Sequence, residues 1–244
     1  MAEAYGIIGF PVAQSFSPAF FRERFAREGI DATYTAFSLE QVTALPALLD
    51  AHPDLQGLNV TIPHKTTVIP YLDDLDPAAA AIGAVNCIAI RHGRLKGYNT
   101  DATGFEESLK PLLRPHHNRA LVLGSGGASK AVCYVLKKLG IDFCIVSRKP
   151  DPHMLAYHDI NETLLTRYPV IINTTPLGMS PDTDRCPELP YQHLTPVHLL
   201  YDLVYNPEET KFLMFGRRRG AAIKNGMEML HLQAEAAWRI WQSP

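Results

Sequence analysis

Residues 57 to 65, GLNVTIPHK, set two polar side chains and an ammonium into a short apolar run. On an extended strand Asn59 and Thr61 point to one face, Val60 and Ile62 to the other. Pro63 stops the strand, and its fixed φ suits the first turn of a helix read over HKTTVIPYLDDL. Lys65 would then sit in that first turn. The positive end of the helix dipole disfavours a charged ammonium there, which is a setting for a proton-transfer lysine. Polar groups that converge at the C-terminal end of a strand occupy the ligand position of open α/β sheets. A solvated lysine beside a strand edge is the plain alternative.

The second chemical stretch is ALVLGSGGASKAVCYVLKKLG, residues 120 to 140. A short apolar strand runs into glycines and then into an amphipathic helix. Gly124, Ser125, Gly126, Gly127 and Ala128 would form a tight turn that lets a pyrophosphate approach the backbone at the helix N-terminus. Ser129 stands where a GxGxxG pattern has its third glycine. The following strand, DFCIVSR, ends about 20 residues on, the spacing of a dinucleotide site. Ser147, Arg148 and Lys149 occupy that strand end. Two cations and no carboxylate suit a ribose 2′-phosphate, so the expected cofactor is NADP rather than NAD. Two solvated turn cations are the alternative.

Other polar positions need elements to place them. YGIIGF (5–10) predicts a buried strand, followed by the loop PVAQSFSP. Ser17 before Pro18 has the form of a helix N-cap, which leaves Ser15 free to face a ligand. TYTAF (33–37) predicts a second strand and residues 40 to 51 a helix, so the strand carrying Asn59 completes a parallel α/β pattern. AVNCIAI and RLKGYN predict a hairpin about a His-Gly turn, with Asn86 in the first arm and Asn99 ending the second. Asp101 begins the next helix as an N-cap or first-turn acid. Residues 111 to 119, rich in proline and polar residues, lead into a second domain. Beyond the glycine turn, VIINTTP, LLYDLVYNP and AAIKNG predict strands and residues 210 to 219 a helix, with room for one short helix in 150 to 168. The terminal helix carries an apolar stripe of Met227, Leu230, Ala234, Ala237, Trp238 and Trp241. Gln233 flanks this stripe with an amide that needs a partner.

Composition removes several classes. A net charge of −2 lacks the positive excess of a nucleic-acid binder. Arg217, Arg218 and Arg219 fall at a helix end, where cations are favoured. The four cysteines form no CxxC pair, so no disulfide framework or zinc site is implied; Cys133 and Cys144 read as buried thiols. The ten histidines show no metal-binding spacing, so no metal is expected. The N-terminus lacks signal-peptide features, and no apolar run reaches the ~18 residues of a membrane span. A cytoplasmic protein acting on a small molecule, as monomer or homodimer, is the expectation.

With these residues placed, the chain resembles shikimate dehydrogenase. The motifs run in order: SFSP (15–18), NVTIPHK (59–65), GAVN (83–86), NTD (99–101), GSGGAS (124–129), NTTPLGM (173–179), DLVYNP (202–207) and NGMEMLHLQA (225–234). The resemblance implies NADP-dependent, reversible reduction of 3-dehydroshikimate to shikimate. It implies two α/β domains flanking a cleft: residues 1–100 with 227–244 for substrate and catalysis, and a Rossmann-like NADP-binding domain over 101–226. Lys65 and Asp101 become a coupled catalytic pair. Ser15, Ser17, Asn59, Thr61, Asn86, Tyr205 and Gln233 join them at the substrate. Thr174, Met179, Gly226 and Met229 join the glycine turn and residues 147–149 at the cofactor. Many family members read Asn-Arg-Thr at 147–149, so Lys149 removes a hydroxyl. A quinate-oxidising relative, a metabolite sensor on the same fold and an unrelated cofactor-binding module are the alternatives. The presence of both Lys65 and Asp101 argues against the sensor.

Overall fold

The computed structural model describes residues 3–12 and 15–243; positions 13 and 14 of the PVAQSFSP loop and the extreme ends of the expected first domain lie outside them. The chain divides into two compact units, Met1–Thr103 with Gln233–Pro244, and Gly104–Leu232.

The first unit opens with β1 (Glu3–Gly9), α1 (Ser17–Glu28), β2 (Ala32–Ser38), α2 (Leu45–Ala51) and β3 (Leu55–Val60). It continues with β4 (Asp74–Leu75), α3 (Pro77–Ile82), β5 (Cys87–Arg91), β6 (Arg94–Tyr98) and the start of α4 (Thr100–Leu109). The sheet order is β2-β1-β3-β5-β6-β4. β1 pairs in parallel with β2 and β3, as the strand–helix–strand pattern requires, and β5 is antiparallel to both β3 and β6. His92 and Gly93 both have positive φ, the backbone of a two-residue hairpin turn. Alternation along the strands builds two apolar layers: Ile8, Leu58 and Ile88 pack in one, Ile7, Phe21, Tyr34, Trp238 and Trp241 in the other.

Several local expectations fail here. Residues 63–68 form turns and Ile69–Tyr71 a single 3-10 turn, not a helix. Thr66 to Ile69 are β-branched, and Pro70 biases Ile69 away from helical backbone. The dipole argument for Lys65 therefore falls. Ser17 is the first helical residue rather than the cap, and no side chain caps α1. Asp101 takes the second of its two expected places, as the acid in the first turn of α4, while Asn99 Oδ1 accepts from Ala102 N at 3.1 Å. Cys133 and Cys144 are half-buried, while Cys87 is fully buried. Met227, placed on the apolar stripe, is exposed.

The second unit holds β7 (Arg119–Leu123), α5 (Gly127–Lys138), β8 (Asp142–Ser147), β9 (Leu155–Ala156), α6 (Glu162–Arg167), β10 (Val170–Asn173), β11 (Leu199–Asp202), α7 (Lys211–Arg218), β12 (Ala222–Lys224) and the start of α8 (Met227–Gln242). Its six strands are all parallel, in the order β12-β11-β10-β7-β8-β9. Counted from β7, this is the doubly wound order 3-2-1-4-5-6 of a dinucleotide-binding sheet. The winding direction reverses between β7 and β10, so their C-terminal ends mark the ligand position. The central strands are buried on both faces and read as continuous apolar runs, RALVL and VIIN. The division between the units falls inside α4 and α8.

Candidate active site

In the first unit β3 ends at Val60, and Thr61 extends its pairing by donating its N–H to the Ile8 carbonyl at 2.9 Å. The turns that follow carry Lys65. They are pinned by buried His64, whose Nε2 donates to the Leu39 carbonyl at 2.5 Å, and by the Lys65 carbonyl, which accepts from Val85 N at 2.7 Å. Lys65 Nζ donates to Asp101 Oδ2 at 2.6 Å. The two side chains are 23% and 14% exposed, so the pair is shielded yet reachable.

Asn86 organises the pair. Its Nδ2 donates to Asp101 Oδ1 at 3.0 Å and Thr100 Oγ1 at 2.9 Å, with Gln233 Oε1 at 3.4 Å. Its Oδ1 accepts the Thr100 N–H at 2.6 Å, so a side chain outside α4 satisfies one of the free amides of that helix. Asn99 caps the helix, which frees both Asp101 oxygens for Lys65 and Asn86. Asn59 Nδ2 donates to the Asn86 carbonyl at 3.3 Å, and Tyr34 donates its hydroxyl to Asn59 Oδ1 at 2.7 Å. Burial holds the Tyr34 phenol well above its ordinary pKa, so it stays protonated and donating.

The structure thus brings Lys65, Asp101, Asn86, Gln233 and Asn59 into one network. Ser17 is buried at the start of α1. Ser15, in the loop before α1, and Thr61, just past β3, are half-buried, with their backbone N–H groups bonded to the Val12 and Ile8 carbonyls. Tyr205 belongs to the second unit and is half-buried. Sequence reading missed Tyr34, His64 and Thr100. His64 and Thr100 lie inside the polar motifs NVTIPHK and NTD, which was a usable signal. Tyr34 gave none beyond an aromatic in a strand.

In the second unit Gly124 follows β7 with φ +106°, backbone that a side chain rarely adopts, and an added Cβ would crowd Thr174. Thr174 Oγ1 donates to the Leu123 carbonyl at 2.8 Å, which ties β10 to β7 at the reversal point. Gly126 and Gly127 differ from Gly124. A Cβ on either would meet nothing within 4 Å, so the protein's own packing leaves that space open before α5. Gly126 is the N-cap of α5 and no side chain takes up the helix amides. Ser129, at the third glycine position, is buried and donates its hydroxyl to the Gly126 carbonyl at 2.6 Å. Ser147 is buried and closes the β8 turn through Lys149 N at 3.2 Å, with Ser125 Oγ 3.5 Å away. Arg148 and Lys149 are exposed and have no ion-pair partner among the described residues. An open anion-binding helix end with two free cations at the next strand end fits a dinucleotide bearing a 2′-phosphate.

The NTTPLGM loop is held from below. Asp202 Oδ1 accepts from Asn173 Nδ2 and Val204 N, each at 3.0 Å, and Oδ2 from Thr210 Oγ1 at 2.6 Å. Asn173 Oδ1 in turn accepts from Thr175 Oγ1 at 2.6 Å. Burial raises Asp202 to about 6, against the pull of these hydrogen bonds. Met179 is 45% exposed on this loop, while Gly226 and Met229 are buried. A Cβ on Gly226 would overlap the Leu203 carbonyl, so packing alone demands glycine there. No group of histidine, cysteine and acidic residues suited to a metal ion is present among the described residues. No helix among them is long and apolar enough to cross a membrane.

Residues 7–88 match the model of the shikimate dehydrogenase substrate binding domain. The shikimate dehydrogenase (NADP(+)) of Geobacillus kaustophilus is 40% identical over 99% of this chain and 93% of its own. The crystal structure of shikimate 5-dehydrogenase from Thermus thermophilus in complex with NADP(H) and shikimate superposes with a TM-score of 0.87. It is 32% identical and covers 98% of this chain and 93% of that one. The ligand-free 5-ketofructose reductase of a Gluconobacter species also superposes, with a TM-score of 0.88 at 29% identity over 99% of this chain and 93% of that one. Kinship at 40% identity, end to end on both chains, carries more weight than the shared fold, and the chain belongs to the shikimate dehydrogenase family.

Proposed function

We propose that this chain catalyses the reversible, NADP-dependent reduction of 3-dehydroshikimate to shikimate, an oxidation–reduction at a CH–OH group in aromatic amino acid biosynthesis. The observation that carries the reading is the shielded Lys65–Asp101 pair at 2.6 Å, in a chain of this family. NADPH, when bound, supplies the hydride that reduces the ring ketone. The carbonyl oxygen then gains negative charge, and a proton must reach it.

Lys65 delivers that proton as the ammonium, and as the amine it takes the proton back in the oxidative direction. Asp101 holds the ammonium in place, and Asn86 fixes Asp101 through its other oxygen. Ser15 and Ser17 bind the substrate carboxylate with Tyr205 beside it. Asn59, Thr61 and Gln233 read ring hydroxyls and orient the ketone. Asn86 joins them, although most of its amide is already committed to Thr100 and Asp101. The first unit, with its last helix, serves the substrate. In the second, the α5 N-terminus and glycine turn hold the pyrophosphate, Arg148 and Lys149 the 2′-phosphate, and Thr174, Met179, Gly226 and Met229 border the nicotinamide. The activity is a cytoplasmic one, carried by a monomer or homodimer without nucleic acid or membrane.

The test is an absorbance assay of NADPH or NADH formation by purified protein with shikimate or quinate, each with NADP or NAD. Reduction of 5-ketofructose by NADPH is the control for the other activity found on this fold. Turnover of shikimate with NADP is expected to dominate, and its absence overturns the reading.

A further inference from the structure

Tyr34 stands in β2 among the aromatic residues of the first unit. Its ring stacks on Phe21 with centroids 4.7 Å apart and an interplanar angle of 11°, and lies 6.4 Å from Trp241. The phenol at its tip reaches Asn59, a residue assigned to the substrate. It donates to Asn59 Oδ1 at 2.7 Å.

Donor and acceptor identities in this chain follow from chemistry. The Asn86 main-chain carbonyl can only accept, so the group that faces it at 3.3 Å is the Asn59 NH₂. Asn59 therefore turns its oxygen to Tyr34, and the phenol must spend its single proton there. The order Tyr34 to Asn59 to the Asn86 carbonyl leaves one Asn59 N–H without an acceptor among the described residues. The Asn59 oxygen is already engaged, so toward a ligand this amide is a donor.

We propose that Tyr34 is a positioning residue that sets substrate specificity: it locks the Asn59 amide so that it can only donate, to the oxygen of one ring hydroxyl of the substrate. This rests on the functional reading above. A phenylalanine at 34 would keep the ring packing and release the amide to rotate. The amide could then present either its oxygen or its nitrogen, and selection for that hydroxyl would weaken.

The experiment is calorimetric binding of shikimate, and of analogues each lacking one non-reacting ring hydroxyl, to the full chain. Asn59→Ala identifies the hydroxyl that Asn59 reads, because discrimination against that analogue collapses. Tyr34→Phe is expected to reduce discrimination against the same analogue about tenfold, the scale of one oriented hydrogen bond, and to leave the other analogues and NADP affinity near wild type. Retained discrimination in Tyr34→Phe, or an equal loss toward every analogue, overturns the proposal and leaves the functional reading intact. Failure of the unmodified protein to bind shikimate overturns both. If Tyr34→Phe does not fold, para-fluorophenylalanine in place of Tyr34 fills the hydroxyl's space without donating, and the same two outcomes decide.

Discussion

Lys65 and Asp101 form an ion pair at 2.6 Å across 36 residues of sequence. Neither side chain is held by its own local structure. Lys65 sits in turns rather than in a helix, and Asp101 is relieved of capping by Asn99. The His64 and Val85 hydrogen bonds fix one partner and Asn86 the other.

Replacing Lys65 by Ala removes the proton donor and leaves the residues that read the ring. We expect kcat to fall by about 10²–10⁴-fold, the usual worth of general acid–base catalysis, and the shikimate KM to change only a few-fold. Steady-state kinetics in both directions measure this. An unchanged kcat removes Lys65 from the mechanism.

Arg148→Ala takes one free cation from the end of β8. A charge-assisted hydrogen bond to phosphate is worth about 1.5–3 kcal/mol, so the NADP KM should rise at least about tenfold. The shikimate KM should stay near wild type and the preference for NADP over NAD should narrow. Equal effects on both KM values would contradict the assignment.

Asp202 makes stability depend on pH. Burial raises its native pKa from 3.8 to about 6, so between these values the folded state holds more protons than the unfolded one. Stability contributed by this group is therefore greatest below about pH 4, declines as pH rises toward 6, and levels off above. At about 1.4 kcal/mol per pH unit the change amounts to about 3 kcal/mol. Asp202→Asn should gain that much relative to wild type between pH 4 and pH 7 in urea unfolding. A difference that does not vary with pH would show that Asp202 ionises as it does in the open chain.

Gly57→Ala tests the packing beneath the site strand. A Cβ at this position would overlap the Trp241 indole, whose Nε1 donates to the Ile88 carbonyl at 2.9 Å. Overpacking of this kind costs about 1–3 kcal/mol. Urea unfolding should show that loss, and an unchanged midpoint would mean that Trp241 moves aside freely.

Much of this protein was legible in the chain itself. The apolar runs of β1, β3, β7, β10 and β11, the glycine turn before α5 and the His-Gly hairpin follow from short-range rules of burial and backbone sterics. The cations at 148 and 149 marked the cofactor type by chemistry and spacing alone, and the polar motifs in register marked the family.

The tertiary structure decided the rest, wherever two local rules competed or where partners lay far apart. Pro63 favoured a helix start, while the β-branched run before Pro70 opposed it, and the turns won because His64 and the Lys65 carbonyl found partners on other elements. Ser17 had the form of a cap but became the first residue of α1 itself. The lysine of GLNVTIPHK was set in the sequence. Its carboxylate partner, its distance from a helix and the Tyr34 hydroxyl behind its neighbour Asn59 come from hydrogen bonds between distant strands, which local spacing does not encode.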